Sequence, residues 1–88
     1  MRRNPEFVLC DVSTHHVLMP TGKASVSLNG MVTLNDMGVV IWNLLEAEKT
    51  EAQLLDAILE RYEVAPERAQ ADIAKYLEVL RGAGALLD

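Results

Sequence analysis

The sequence is short of cysteine, aromatic residues, basic charge and long apolar runs, and each shortage removes a class of function. One cysteine, Cys10, permits no intrachain disulfide and no multi-cysteine metal site, which fits a reducing compartment. The longest unbroken apolar run, Val39-Val40-Ile41-Trp42, is far too short to cross a bilayer. Met1-Arg2-Arg3 is followed by Asn4-Pro5-Glu6 instead of the apolar core of a signal peptide. A cytoplasmic location, with no membrane partner, is the expectation.

Eight basic residues stand against thirteen acidic ones, for a formal net charge of −5 and a pI near 4.9. Nucleic-acid binders gain affinity by setting Lys and Arg against phosphates, so nucleic acid is not the expected partner. The deficit is uneven. Residues 1–35 hold three basic (Arg2, Arg3, Lys23) and two acidic groups (Glu6, Asp11), whereas residues 36–88 hold five basic and eleven acidic. An acidic second half suits solvated helix faces and the steering of basic partners.

Catalytic chemistry is also missing. No G-x-x-x-x-G-K-[ST], G-x-G-x-x-G or H-E-x-x-H pattern occurs. His15 and His16 are adjacent, so in a strand they point to opposite faces and cannot comfortably share one ion; exposed histidines at a hairpin end are expected. Cys10 has no basic neighbour in sequence to lower its pKa, as a catalytic thiolate requires. Trp42, the only tryptophan, falls in the most apolar helix and reads as a core anchor. With 88 residues, 50% of them apolar, one small domain over 1–88 can form. It buries only about 60% of its unfolded surface, which leaves little interior for a substrate cavity. A non-enzyme without metal or cofactor is the reading.

Two periodicities divide the chain near Asn35. Before it, apolar runs at Phe7–Val12, Val17–Met19 and Val26–Leu34 are separated by turn formers, Ser13-Thr14 and Pro20-Thr21-Gly22. In the third run Val26, Leu28, Val32 and Leu34 share one parity and Ser27, Asn29 and Thr33 the other, as in a half-buried strand. Asn29-Gly30 can interrupt it with a turn or bulge. After it, Asn35 or Asp36 caps a nearly all-apolar helix to about Glu46. Thr50-Glu51-Ala52-Gln53 forms a capping box for a second helix burying Leu54, Leu55, Ile58, Leu59 and Tyr62. Pro66 opens a third, and Gly82 and Gly84 stop it.

That order predicts an α+β fold, three antiparallel strands (about 6–34) followed by a three-helix bundle (about 36–83). The last helix carries Ala69, Ile73, Tyr76, Leu77, Leu80 and Ala83 in one stripe, widened by Val79 to roughly 160° against the ≳100° of an ordinary surface helix. The excess either packs against Leu86 and Leu87 or lines a groove open to a ligand. An uncovered strand edge is a second place where another chain can add.

Several stretches resemble a known family in order and without insertions. These are Asn4-Pro5-Glu6-Phe7-Val8-Leu9, Val17-Leu18-x-Pro20-Thr21-Gly22 and Leu28-Asn29-Gly30-Met31-Val32-Thr33-Leu34-Asn35 in the strand half. Gly38-x-x-Ile41-Trp42-x-Leu44-Leu45, Tyr62-x-Val64-x-Pro66-Glu67 and Arg81-Gly82-Ala83-Gly84 with Leu86 make up the helical half. The set resembles PqqD-like proteins, whose winged-helix-like domain is the recognition element for ribosomally made, modified peptides. The resemblance implies a peptide chaperone that binds the leader of a precursor peptide and presents it to a modifying enzyme, often a radical S-adenosylmethionine enzyme. In the family the leader adds to the third strand and lies against the third helix. Carried over, this points to Asn29, Gly30, Met31, Val32, Thr33 and Leu34 on the strand. On the helix it points to Ile73, Tyr76, Leu77 and Leu80, with Val79 at the margin.

Members of the pyrroloquinoline quinone pathway tend to carry arginines in the first strand, and Phe7–Val12 has none; the resemblance therefore points to another modified-peptide pathway. Ala65 stands where a capping Asp or Ser is usual, so a ragged start to the last helix is expected. Two alternatives remain at this level. One is a winged-helix regulator of DNA or protein, although residues 50–64 carry one basic and four acidic groups. The other is a detached domain, its partner enzyme lost or unrelated, acting in homo-oligomers; the chain itself is expected as a monomer or a strand-swapped homodimer.

Overall fold

The computed structural model describes residues 1–21 and 32–87. The elements run β1 (Arg2–Arg3), β2 (Phe7–Val12), β3 (His15–Pro20), β4 (Val32–Leu34), α1 (Asp36–Leu44), α2 (Glu51–Arg61), α3 (Pro66–Gly82) and β5 (Leu86–Leu87). β2, β3 and β4 form an antiparallel sheet in that order. This is the α+β arrangement expected from the sequence. The anticipated third strand is seen from Val32 onward; its earlier part, with Asn29, Gly30 and Met31, lies outside the described residues.

Local chemistry accounts for the boundaries. Ser13 takes φ 59 in the turn between Val12 and His15, the left-handed conformation that a two-residue hairpin loop needs. The Asn35 side chain accepts from the Gly38 N–H at 2.9 Å, capping α1. Thr50 and Gln53 complete a capping box at the start of α2. Ala65 offers α3 no side-chain cap, and Pro66 sits in its first turn, where a missing N–H costs nothing. Gly84, at φ 76, turns the chain out of α3 into β5.

The sheet alternates as its sequence demands. Phe7, Leu18 and Leu34 face the helices and are buried, with Leu18 at 0% exposure. Val8, Val12 and Met19 share the opposite face, 45%, 52% and 38% exposed. The inner face meets Ile41, Trp42 and Leu45 from the first helix and its C-cap, Leu54 and Ile58 from α2, and the α3 stripe. One expectation fails: Tyr62 is 43% exposed. It is the C-cap of α2, at φ −130 and ψ 140, so the backbone has left the helix and the i+8 register no longer applies.

The sequence also contains a pairing that its patterning did not suggest. β1 and β5 pair antiparallel, Arg2 opposite Leu87 and Arg3 opposite Leu86. The Arg3 N–H donates to the Leu45 carbonyl at 2.9 Å and the Asn4 N–H to Ala85 at 2.8 Å. Two-residue strands have no periodicity to read, and their partners lie at opposite ends of the sequence. This short ladder ties the approach to β2 to the ends of α1 and α3.

Candidate functional site

Backbone phase decides what each sheet edge offers. The Thr21 N–H donates to the Glu6 carbonyl at 2.7 Å. In an antiparallel ladder hydrogen-bonded pairs alternate, so Val8, Cys10 and Val12 direct their backbone groups to β3 while Phe7, Leu9 and Asp11 direct theirs away. Pro20, with no N–H, stands opposite Phe7, in a pair that needs none. Carrying the phase across β3, His16 and Leu18 face β4, opposite Leu34 and Val32, and Thr33 opposite Val17 points outward. Thr33 is exposed, and its N–H and C=O point away from β3.

Gly38 is where β4 and α3 approach each other. A Cβ at this position would lie 3.0 Å from Tyr76 Cε1 and 3.1 Å from Leu34 Cβ. Gly38 lies in the first turn of α1, and its missing side chain lets the Tyr76 ring close against the strand. Lys75 Nζ lies 5.7 Å from the centre of that ring, within cation–π range.

The expected α3 residues divide into two groups. Ile73, Leu77 and Leu80 are buried at 1%, 0% and 0%; they are core, and the width of the stripe is taken up by packing. Ile73 borders Ala52 and Leu55 of α2, while Leu80 directs its carbonyl to the Ala85 N–H at 2.9 Å. Val79, 39% exposed, is the member that reaches the surface, and Tyr76 beside it is nearly buried at 8%. Helical spacing puts Asp72, Val79 and Lys75 on the flank of Tyr76 away from Ile73 and Leu77. Asp72 is half-buried and Lys75 exposed. Sequence reasoning missed Asp72, Lys75 and the role of Gly38. The two charged residues lay outside the α3 stripe, and Gly38 belongs to α1, where no local pattern shows its approach to Tyr76.

His16 is not simply exposed at a hairpin end. Its Nδ1 lies 2.6 Å from Asp11 Oδ1 and its Nε2 3.6 Å from Asp36 Oδ1. The hydrogen bond to Asp11, followed by the charges of both carboxylates, raises its pKa above the ordinary value despite a smaller opposing desolvation. His15 points to the other face and is exposed. Cys10 is a half-buried free thiol. Among the described residues no group of three or more His, Cys, Asp or Glu is placed to hold a metal ion, and no helix is long and apolar enough to cross a membrane.

Residues 15–86 match the family described as coenzyme PQQ synthesis protein D, PqqD. The chain belongs to the PqqD family. Two solved structures are similar to this PqqD-family chain. One is TbiB1 in complex with the TbiA(beta) leader peptide, with a TM-score of 0.72 and 23% identity over 100% of both chains. The other is a lasso peptide synthetase B1 complexed with the leader peptide, with a TM-score of 0.72 and 25% identity over 99% of this chain and 96% of that one. No curated protein matches the sequence.

Proposed function

We propose that the chain is a non-enzymatic binding module for the leader segment of a ribosomally synthesised precursor peptide. The leader adds as a strand to the outer edge of β4 and packs against the flank of α3 formed by Tyr76, Val79, Asp72 and Lys75. The bound peptide is presented to a radical S-adenosylmethionine enzyme or another peptide-modifying enzyme. The outward backbone of Thr33, beside the point where Gly38 brings Leu34 and Tyr76 together, is the observation that carries this reading. Fold similarity to two proteins held in complex with leader peptides supports it. Ile73, Leu77 and Leu80 underlie that flank from the core, and Asn29, Gly30 and Met31, which the family resemblance also implicates, lie outside the described residues.

Strand addition suits the task. Each ladder hydrogen bond contributes about 0.5–1.5 kcal/mol net whatever the side chain, and pockets for alternate residues supply selectivity. Ordering a disordered leader takes back about 2–5 kcal/mol or more, so several paired residues and an apolar anchor are required. Val79 is the apolar contact within reach, flanked by Lys75 and Asp72 for charged leader residues.

Thr33→Pro tests the reading. Proline removes the outward N–H and no bond to β3, and an edge strand tolerates it. The expected result, read by isothermal titration with a cognate precursor leader, is at least about a tenfold loss of affinity in a protein that still folds. Unchanged affinity in a folded variant would falsify strand addition at β4. A duplex-DNA reading has less support: Glu51, Asp56 and Glu60 are exposed along α2.

A further inference from the structure

The opposite edge of the sheet offers different chemistry. A cleft of about 470 Å³ lies beside β2, lined by Arg2, Arg3, Phe7, Leu9, Trp42 and Glu46, among others. Arg3 is stacked on Trp42, its guanidinium carbon 5.6 Å from the ring centre, and Trp42 is 2% exposed. Neither arginine has a carboxylate within ion-pair distance among the described residues, and Glu46 is the only acid in the lining. Along this edge the backbone of Leu9 faces outward; that of Phe7 does too, but its N–H is already donated to the Asn4 carbonyl at 3.1 Å. Cationic charge, an aromatic wall and an unpaired strand edge thus coincide.

We infer that this cleft binds an extended acidic segment of a second protein, distinct from the leader. Three features select that occupant. Arg2 and Arg3 are two of the three basic residues in the first 35, and the rest of the chain is strongly acidic. Glutamate or aspartate is therefore drawn to this end and repelled from the helical surface. A guanidinium held over an indole ring is pre-organised to receive a carboxylate. An extended segment can also pair with the outward groups of Leu9 while its alternate side chains reach the arginines. β3 separates the two edges, so a chain on β2 and a chain on β4 do not exclude each other.

The test uses the full chain and an acetylated, amidated peptide of alternating glutamate and threonine, with its glutamine–threonine counterpart as control. Trp42 is the only tryptophan, so its indole Nε1–H resonance reports on the cleft directly. The expected result is a saturable shift of that resonance and of the Leu9 amide, with the glutamine peptide at least about tenfold weaker. Arg2→Gln and Arg3→Gln, which keep the aliphatic stems, are each expected to weaken binding about fivefold, with Val32–Leu34 amides unmoved. Equal binding of the two peptides overturns the inference. So do shifts centred on Val32–Leu34, an absence of saturable shift at about millimolar peptide, or shifts produced by raising protein concentration alone. Because the readouts lie on β2 and Trp42, failure here leaves the β4 reading standing, and failure of Thr33→Pro leaves this one.

Discussion

The two edges of the three-stranded sheet face different chemistry. β4 ends at Leu34, against Tyr76 and a helix flank that is mixed in character, with Val79 and oppositely charged Asp72 and Lys75. β2 runs beside Arg2, Arg3 and Trp42, with Glu46 the one acid there among the described residues. Among the described residues both edges present unpaired backbone groups, which is a hazard in a small protein unless something covers or charges them. The difference is that helix packing shapes the β4 edge, whereas the β1–β5 ladder shapes the β2 edge. The two proposed sites therefore call for dissimilar chains and are separated by β3.

The largest blow to that comparison is Leu18→Ala. Leu18 sits in the central strand at 0% exposure, so its truncation leaves a cavity beneath both edges at a cost of about 2–5 kcal/mol. Urea denaturation should show that loss, and both edges should weaken together. Damage confined to one edge would show that they do not share β3 as their support.

Gly38→Val sharpens the contrast. Its side chain must displace Tyr76 and Leu34, and overpacking of this kind costs about 1–3 kcal/mol. Amide shifts are expected along β4, α1 and the middle of α3. The Trp42 indole resonance and glutamate-peptide binding should survive. A large change at Trp42 would mean that the two edges are coupled.

A smaller effect distinguishes them by pH. His16 adjoins Leu34 across the β3–β4 ladder and is held between Asp11 and Asp36. Its folded-state pKa is raised above the ordinary 6.5, so its protonated form stabilises the fold. That contribution is fully present below 6.5 and is lost as pH rises through the raised folded value. The pairs are solvent-accessible, which keeps the effect small. Urea midpoints measured between about pH 6 and 8.5 should fall for the parent chain and stay level for His16→Gln. An equal fall in both would assign the pH dependence elsewhere.

Tyr62→Ala, remote from both edges and 43% exposed, should change stability by no more than about 0.5 kcal/mol. A larger loss by thermal denaturation would restore the buried role that its spacing first suggested.

Much of the fold was legible because its signals are local. Phe7–Val12 is a strand because apolar and β-branched residues cluster there, and Thr50 with Gln53 announces α2 within four residues. The α3 stripe was equally plain, yet its width admitted two explanations. Only the positions of α2 and β5 show that Ile73, Leu77 and Leu80 are consumed by the core, leaving Val79 exposed beside the nearly buried Tyr76. Tyr62 misled for the opposite reason: its spacing assumed a helix that had already ended.

Element order, caps, strand parity and charge asymmetry are properties of neighbours along the chain, and the sequence by itself determined them. Tertiary structure alone decided which backbone groups remain unpaired at each edge and which flank of α3 is open. It also decided that Gly38 is a contact point and that Arg2 and Arg3 meet Trp42. Each of these depends on residues far apart in sequence approaching within a few ångströms, and no local pattern encodes such a distance.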